Sequence, residues 1–101
     1  MESAVRNNTE QSRYELTVDD TVAGFVEYRD KGEYVELTHT EVDRSHEGEG
    51  LGSQLARAVL DNLRNEERAI IPSCPFINTY LKRHPEYADL VPADRRADFG
   101  L

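Results

Sequence analysis

The hydrophobic rhythm of this chain changes once, and that change limits the folds open to it. Up to Val42 the apolar residues recur at every second position. From Leu51 they recur at every fourth, and a glycine-rich stretch, Glu47-Gly-Glu-Gly-Leu-Gly52, lies between the two regimes. Period two is the mark of a half-buried strand and period 3.6 that of an amphipathic helix. A set of strands must therefore lead through a glycine loop into a helix.

Tyr14, Leu16 and Val18 share one face of a first strand within Arg13 to Val18, and Asp19-Asp20 supplies a turn. Thr21 to Tyr28 reads as a second strand, and Gly32 allows the chain to turn back into a third over Glu33 to Val42. Short connections make these an antiparallel meander. Leu51, Leu55, Val59 and Leu63 then line a helix of about four turns. Arg68 to Pro72 is a short apolar strand, which after a crossover helix is expected to join the sheet parallel to the third strand. Ser73-Cys-Pro75 resembles a helix entry, with Pro75 at the first helical position and Pro85 ending the helix. The expected fold is α/β in one domain over residues 13–91, between a flexible tail at 1–12 and a loosely held tail at 92–101.

Charge narrows the partners. Asp and Glu number 20 against 12 basic residues, a net charge of −8, and the only lysines are Lys31 and Lys82. Nucleic acid is a poor partner for such a surface, because binding it requires cations to neutralise phosphates. Acid excess with scarce lysine also suits a high-salt cytoplasm, where self-repulsion is screened. No apolar run approaches the roughly 20 residues of a membrane span, and the first residues lack a signal-peptide plan. The sequence thus predicts a cytoplasmic protein, monomeric or weakly dimeric. The lone Cys74 has no second thiol for a disulfide or a zinc pair, and no metal site is expected.

Glycines before a helix usually serve an anion, since a helix start presents unpaired N–H groups and the positive end of a dipole. The G-x-G-x-G spacing after a meander fits a dinucleotide fingerprint badly, and the Gly-Lys-Ser/Thr ending of a P-loop is missing. A plain turning loop is the bland alternative. The stretch Glu47-Gly-Glu-Gly50-Leu-Gly52 resembles the pyrophosphate loop of the GNAT acetyltransferases, except that Glu47 stands where that pattern has Arg or Gln. With His39-Thr-Glu-Val42, Ser-Cys74-Pro-Phe76 and Leu81-Lys-Arg-His84-Pro-Glu-Tyr87 added, the chain resembles the small GNAT-like N-acetyltransferases of about 100 residues.

That resemblance implies a minimal GNAT-like fold, acetyl-CoA as cosubstrate and an amine as acceptor, either a small amine or a protein amine. It also implies that the third strand and the parallel strand splay apart around pantetheine. On this chain the cofactor residues become Thr40, Glu41 and Val42 on the strand, Glu47, Gly48, Glu49, Gly50, Leu51, Gly52 and Ser53 at the loop, and Lys82, or else Arg83, toward the adenosine-side phosphates. His39 is a candidate general base. Cys74, at a helix start, is a candidate for carrying the acetyl group or for protonating the leaving thiolate. A buried cysteine is also a common apolar filler. Leu81 occupies the place of the tyrosine that many superfamily members use as acid, and Tyr80, Tyr87 and His84 read as packed residues. The alternative function is a module that binds CoA, an acyl-CoA or a protein partner on a degenerate GNAT fold without turnover.

Overall fold

The computed structural model describes residues 2–43 and 50–101. Glu47, Gly48 and Glu49 of the glycine loop lie outside the described residues. Five strands form one sheet in sequence order: β1 (Ser3–Asn8), β2 (Arg13–Val18), β3 (Thr21–Asp30), β4 (Tyr34–Val42) and β5 (Ala69–Pro72). The first four form an antiparallel meander, and β5 returns parallel to β4 after the helix α1 (Leu51–Asn65). A second helix, α2 (Pro75–Arg83), follows β5, and two 3-10 segments, Pro85–Leu90 and Ala93–Phe99, close the chain.

The three strands, two helices and parallel strand expected from periodicity are present. Two expectations about the ends are corrected. Residues 3–8 are strand β1, which pairs with β2 from Ser3↔Val18 to Asn8↔Arg13. Residues 93–99 are a 3-10 segment, and Phe99 and Leu101 pack against the core. β1 is held mainly by its backbone ladder and by Arg6 and Asn8, which reach Glu15 on β2, so its sequence needs no apolar alternation.

One core forms between the sheet and the helices. Tyr14, Leu16, Val26 and Leu37 meet Leu55, Val59, Leu60 and Leu63 of α1, and Ile77 and Leu81 of α2. Arg13, Glu15, Phe25, Glu27 and Glu41 alternate with the inward-facing residues and so lie on the opposite face of the sheet. The Arg13 guanidinium sits 4.6 Å from the centre of the Phe25 ring.

A bulge in β4 decides which of its residues face the helices. Glu27 pairs with His39 but Tyr28 pairs with Leu37, leaving Thr38 as the extra residue, its Oγ1 donating to the Glu27 carbonyl at 3.2 Å. Val35 and Leu37 point into the core before the bulge, and Thr40 and Val42 continue that face after it. Without the bulge His39 would hold Thr40's place.

Candidate active site

Pairing between β4 and β5 stops at Leu37↔Pro72. One more bond, from the Cys74 N–H to the Leu37 carbonyl at 2.8 Å, ties the start of α2 to β4. Beyond it β4 runs on with β3 alone, so a gap opens between Thr40–Val42 and the start of α2. The expected splay of the two strands is present. Backbone groups of β4 on that side are available to an extended ligand, as on any sheet edge.

Cys74 is the N-cap residue of α2, in extended conformation, with Pro75 at the first helical position. The residue is 2% exposed and its Sγ lies 3.2 Å from Thr40 Oγ1, so a strand residue and a helix-cap residue meet across the gap. The hydroxyl and the thiol can each donate to the other. His39 is not part of this contact. Its ring, half exposed, lies on the opposite face, 6.2 Å from the Phe25 ring, with Nε2 3.4 Å from Glu41 Oε2. The structure therefore brings Thr40 and Val42 toward Cys74 and turns His39 and Glu41 away from it.

At the loop end, α1 begins after Gly50, which takes the left-handed conformation at φ 73° that favours glycine. Among the described residues no side chain caps this terminus, and no acid stands in its first turn, so the N–H groups of Leu51, Gly52 and Ser53 are open to an anion there. Gly52 has a further role. A Cβ there would stand 2.9 Å from Phe76 Cζ and 3.7 Å from Val42 Cγ2. The missing side chain lets α2 and the end of β4 close onto the first turn of α1, so the gap at Cys74 and the helix start are neighbours.

Lys82 is directed elsewhere: a Cβ on Gly100 would stand 3.3 Å from its Nζ, which places the ammonium against the C-terminal segment. Arg83 instead lines a hollow of about 320 Å³ with Ser53, Phe76 and Tyr80. Tyr80 and His84 stack with ring centres 4.0 Å apart, and burial raises the Tyr80 phenol above the ordinary tyrosine pKa. Leu81 is fully buried and offers no acid, as the sequence implies. Sequence reasoning missed Phe76 and Arg57 as groove residues, because the turn-by-turn pattern marks Arg57 only as facing away from the core. Among the described residues no cluster of His, Cys, Asp and Glu is arranged to hold a metal, and no helix is long and apolar enough to cross a membrane.

Comparison with known proteins agrees with this architecture. The chain is 37% identical over 51 residues to Protein NATD1 of Gallus gallus and, equally, to that of Homo sapiens; the match covers 50% of this chain and 46% and 45% of theirs. The chain thus spans about half the length of the curated relatives it matches. A GCN5-like protein from Staphylococcus aureus, solved in solution by NMR, superposes with a TM-score of 0.67 over 88% of this chain and 87% of that one, at 23% identity, which shows a shared fold. Residues 13–90 match the family described as GCN5-related N-acetyl-transferase. With the splayed strands and the open helix start already in place, that match makes this chain a member of the GCN5-related N-acetyltransferase family.

Proposed function

We propose that the chain is an acetyl-CoA-dependent N-acetyltransferase in which Cys74 carries the acetyl group to an amine. The observation that supports this reading most directly is the 3.2 Å contact between Cys74 Sγ and Thr40 Oγ1 in the gap between β4 and α2. The neighbouring α1 terminus suits the pyrophosphate, because its first N–H groups have no side-chain cap among the described residues and no first-turn carboxylate. Gly50, Leu51, Gly52 and Ser53 hold the pyrophosphate in this reading. The loop residues Glu47, Gly48 and Glu49 are assigned to the same task from sequence alone. Thr40, Glu41 and Val42 offer their strand edge to pantetheine.

Acetyl-CoA supplies an acyl carbon already activated as a thioester. Cys74 Sγ bonds to that carbon as the bond to the CoA sulfur breaks, its proton leaving with the CoA thiol. Thr40 Oγ1 orients the thiol. His39, beside Glu41 on the outer face of β4, takes a proton from the incoming ammonium, and the neutral amine passes the end of β4 to reach the acyl group on Cys74. The neutral amine then displaces Cys74, and the proton it gives up restores the thiol. Binding of CoA without turnover is a second reading, favoured by the separation of His39 from Cys74 on opposite faces.

Thermal unfolding with and without CoA tests the site, since ligand at 100 times its Kd stabilises by about 2.7 kcal/mol. Intact-mass measurement after incubation with acetyl-CoA then asks whether one acetyl group is retained by the native protein and lost in Cys74→Ser. No thermal shift at millimolar CoA removes the CoA reading. Turnover of an amine without an acetylated Cys74 leaves direct transfer, with Cys74 as proton donor to the departing thiolate.

A further inference from the structure

Serine is a favoured helix cap, yet Ser73, next to the cap residue Cys74, does not cap α2, whose start has no side-chain cap bond among the described residues. Its hydroxyl instead donates to Glu36 Oε2 at 2.6 Å. Glu36 lies between Val35 and Leu37, which point into the core, and so stands on the outer face of β4. Ser73 thus reaches the outer face of the strand, and Cys74 reaches Thr40 on the inner one. Between them the Cys74 N–H donates to the Leu37 carbonyl. Two consecutive residues therefore grip β4 from both faces directly below the gap.

The grip falls where the sheet can offer none. The β4–β5 ladder ends at Leu37↔Pro72, and a proline has no N–H with which to extend it. The Ser73 N–H turns back to the Ile71 carbonyl at 3.1 Å in a tight turn. Past Pro72 the start of α2 is tied to β4 by the Cys74 N–H, the Cys74 thiol and the Ser73 hydroxyl, and of these the hydroxyl alone reaches the outer face. We propose that Ser73 and Glu36 are positioning residues: their hydrogen bond fixes the start of α2 against β4 and so holds the Cys74 thiol beside Thr40, where it takes up the acetyl group. The role rests on the reading of Cys74 as acetyl carrier above.

The test uses Ser73→Ala, Glu36→Ala, the double variant, and Ser73→Thr, which keeps the hydroxyl. Neither residue belongs to the core, so the variants keep it. Two rates are read by intact mass. Alkylation of Cys74 by iodoacetamide needs the 2% exposed residue to open locally, and its acetylation by acetyl-CoA needs the thiol in place. Ser73→Ala is expected to be alkylated about fivefold faster and acetylated about fivefold more slowly, the scale of one exposed hydrogen bond to a charged group. The double variant should match either single one, because both remove the same bond, and Ser73→Thr should restore both rates. Unchanged alkylation of Ser73→Ala overturns the grip, whatever acetyl-CoA does. Additive effects of the two substitutions overturn the pairing. Acetylation that stays level, or rises with alkylation, overturns the positioning role and leaves the acetyl carrier standing. No acetylation of Cys74 in the native chain overturns that carrier and the positioning role with it.

Discussion

A Cβ on Gly24 would stand 2.9 Å from the carbonyl oxygen of Glu41 and 3.4 Å from Val42 Cα. Those neighbours are backbone, and they belong to the stretch of β4 that borders the Cys74 gap. Gly24→Ala must therefore push β4 off β3 and is expected to cost about 1–3 kcal/mol, as overpacking does. Gly52→Ala meets the tip of the half-exposed Phe76 ring at 2.9 Å, which can swing away, and Val42 Cγ2 only at ordinary contact distance, so it costs less. Urea midpoints should thus fall clearly for the first variant and little for the second; equal falls would show that the Phe76 contact is as rigid as the backbone one.

Glu15 is 2% exposed on the sheet face opposite the helices, and its carboxylate accepts from Arg13 Nε at 2.7 Å, Asn8 Nδ2 at 3.1 Å and Arg6 Nη2 at 3.3 Å. The hydrogen bond from Arg13 is the largest reason that its pKa lies below the ordinary value, with Asn8 and Arg6 adding to it against the cost of burial. A carboxylate whose folded pKa is depressed contributes stability that is present above its unfolded pKa and lost as pH falls through the folded one. Glu15→Gln is expected to lower stability at pH 7 by about 2 kcal/mol, the scale of charge-assisted bonds. It should also flatten the decline below about pH 4.5. A variant that keeps the native acid slope would assign that slope to other carboxylates.

The same residues show what the sequence could and could not reveal. Strands β2, β3 and β4 and helix α1 bury one full side, so their periods are plain in the chain. β1 buries little beyond part of Val5 and is fixed by pairing with β2 and by Arg6 and Asn8 reaching Glu15. That is long-range information no local pattern carries. Cys74 at the start of α2 was legible from Pro75. The position of His39 was not, because one extra residue at Thr38 exchanges the two faces of β4.

Tyr87 is buried against α1, and its hydroxyl donates to Asp61 Oδ1 at 2.6 Å. That hydrogen bond, with burial and the Asp61 charge, pushes its pKa up to about 12. A group whose folded pKa is raised contributes stability fully present below its unfolded pKa, here 10.0, and lost as pH rises through about 12. Tyr87→Phe is expected to lower stability near neutral pH by about 1 kcal/mol. Between pH 10 and 12 the native protein should lose that advantage and approach the variant. Parallel stability curves for the two proteins across this range would show that the Tyr87 hydroxyl is not what titrates.

The opposite orientations of Thr40 and His39 separate the two halves of the proposed reaction. His39 does not touch Cys74, so His39→Gln should leave acetylation of Cys74 by acetyl-CoA unchanged by intact mass. Transfer from the loaded thiol to an amine should fall about a hundredfold, the lower range for a lost general base. Glu41→Gln, which leaves the imidazole in place without its 3.4 Å partner, should lose less. Equal loss of loading and transfer in His39→Gln would place the imidazole on the thioester side and contradict the division between the two faces of β4.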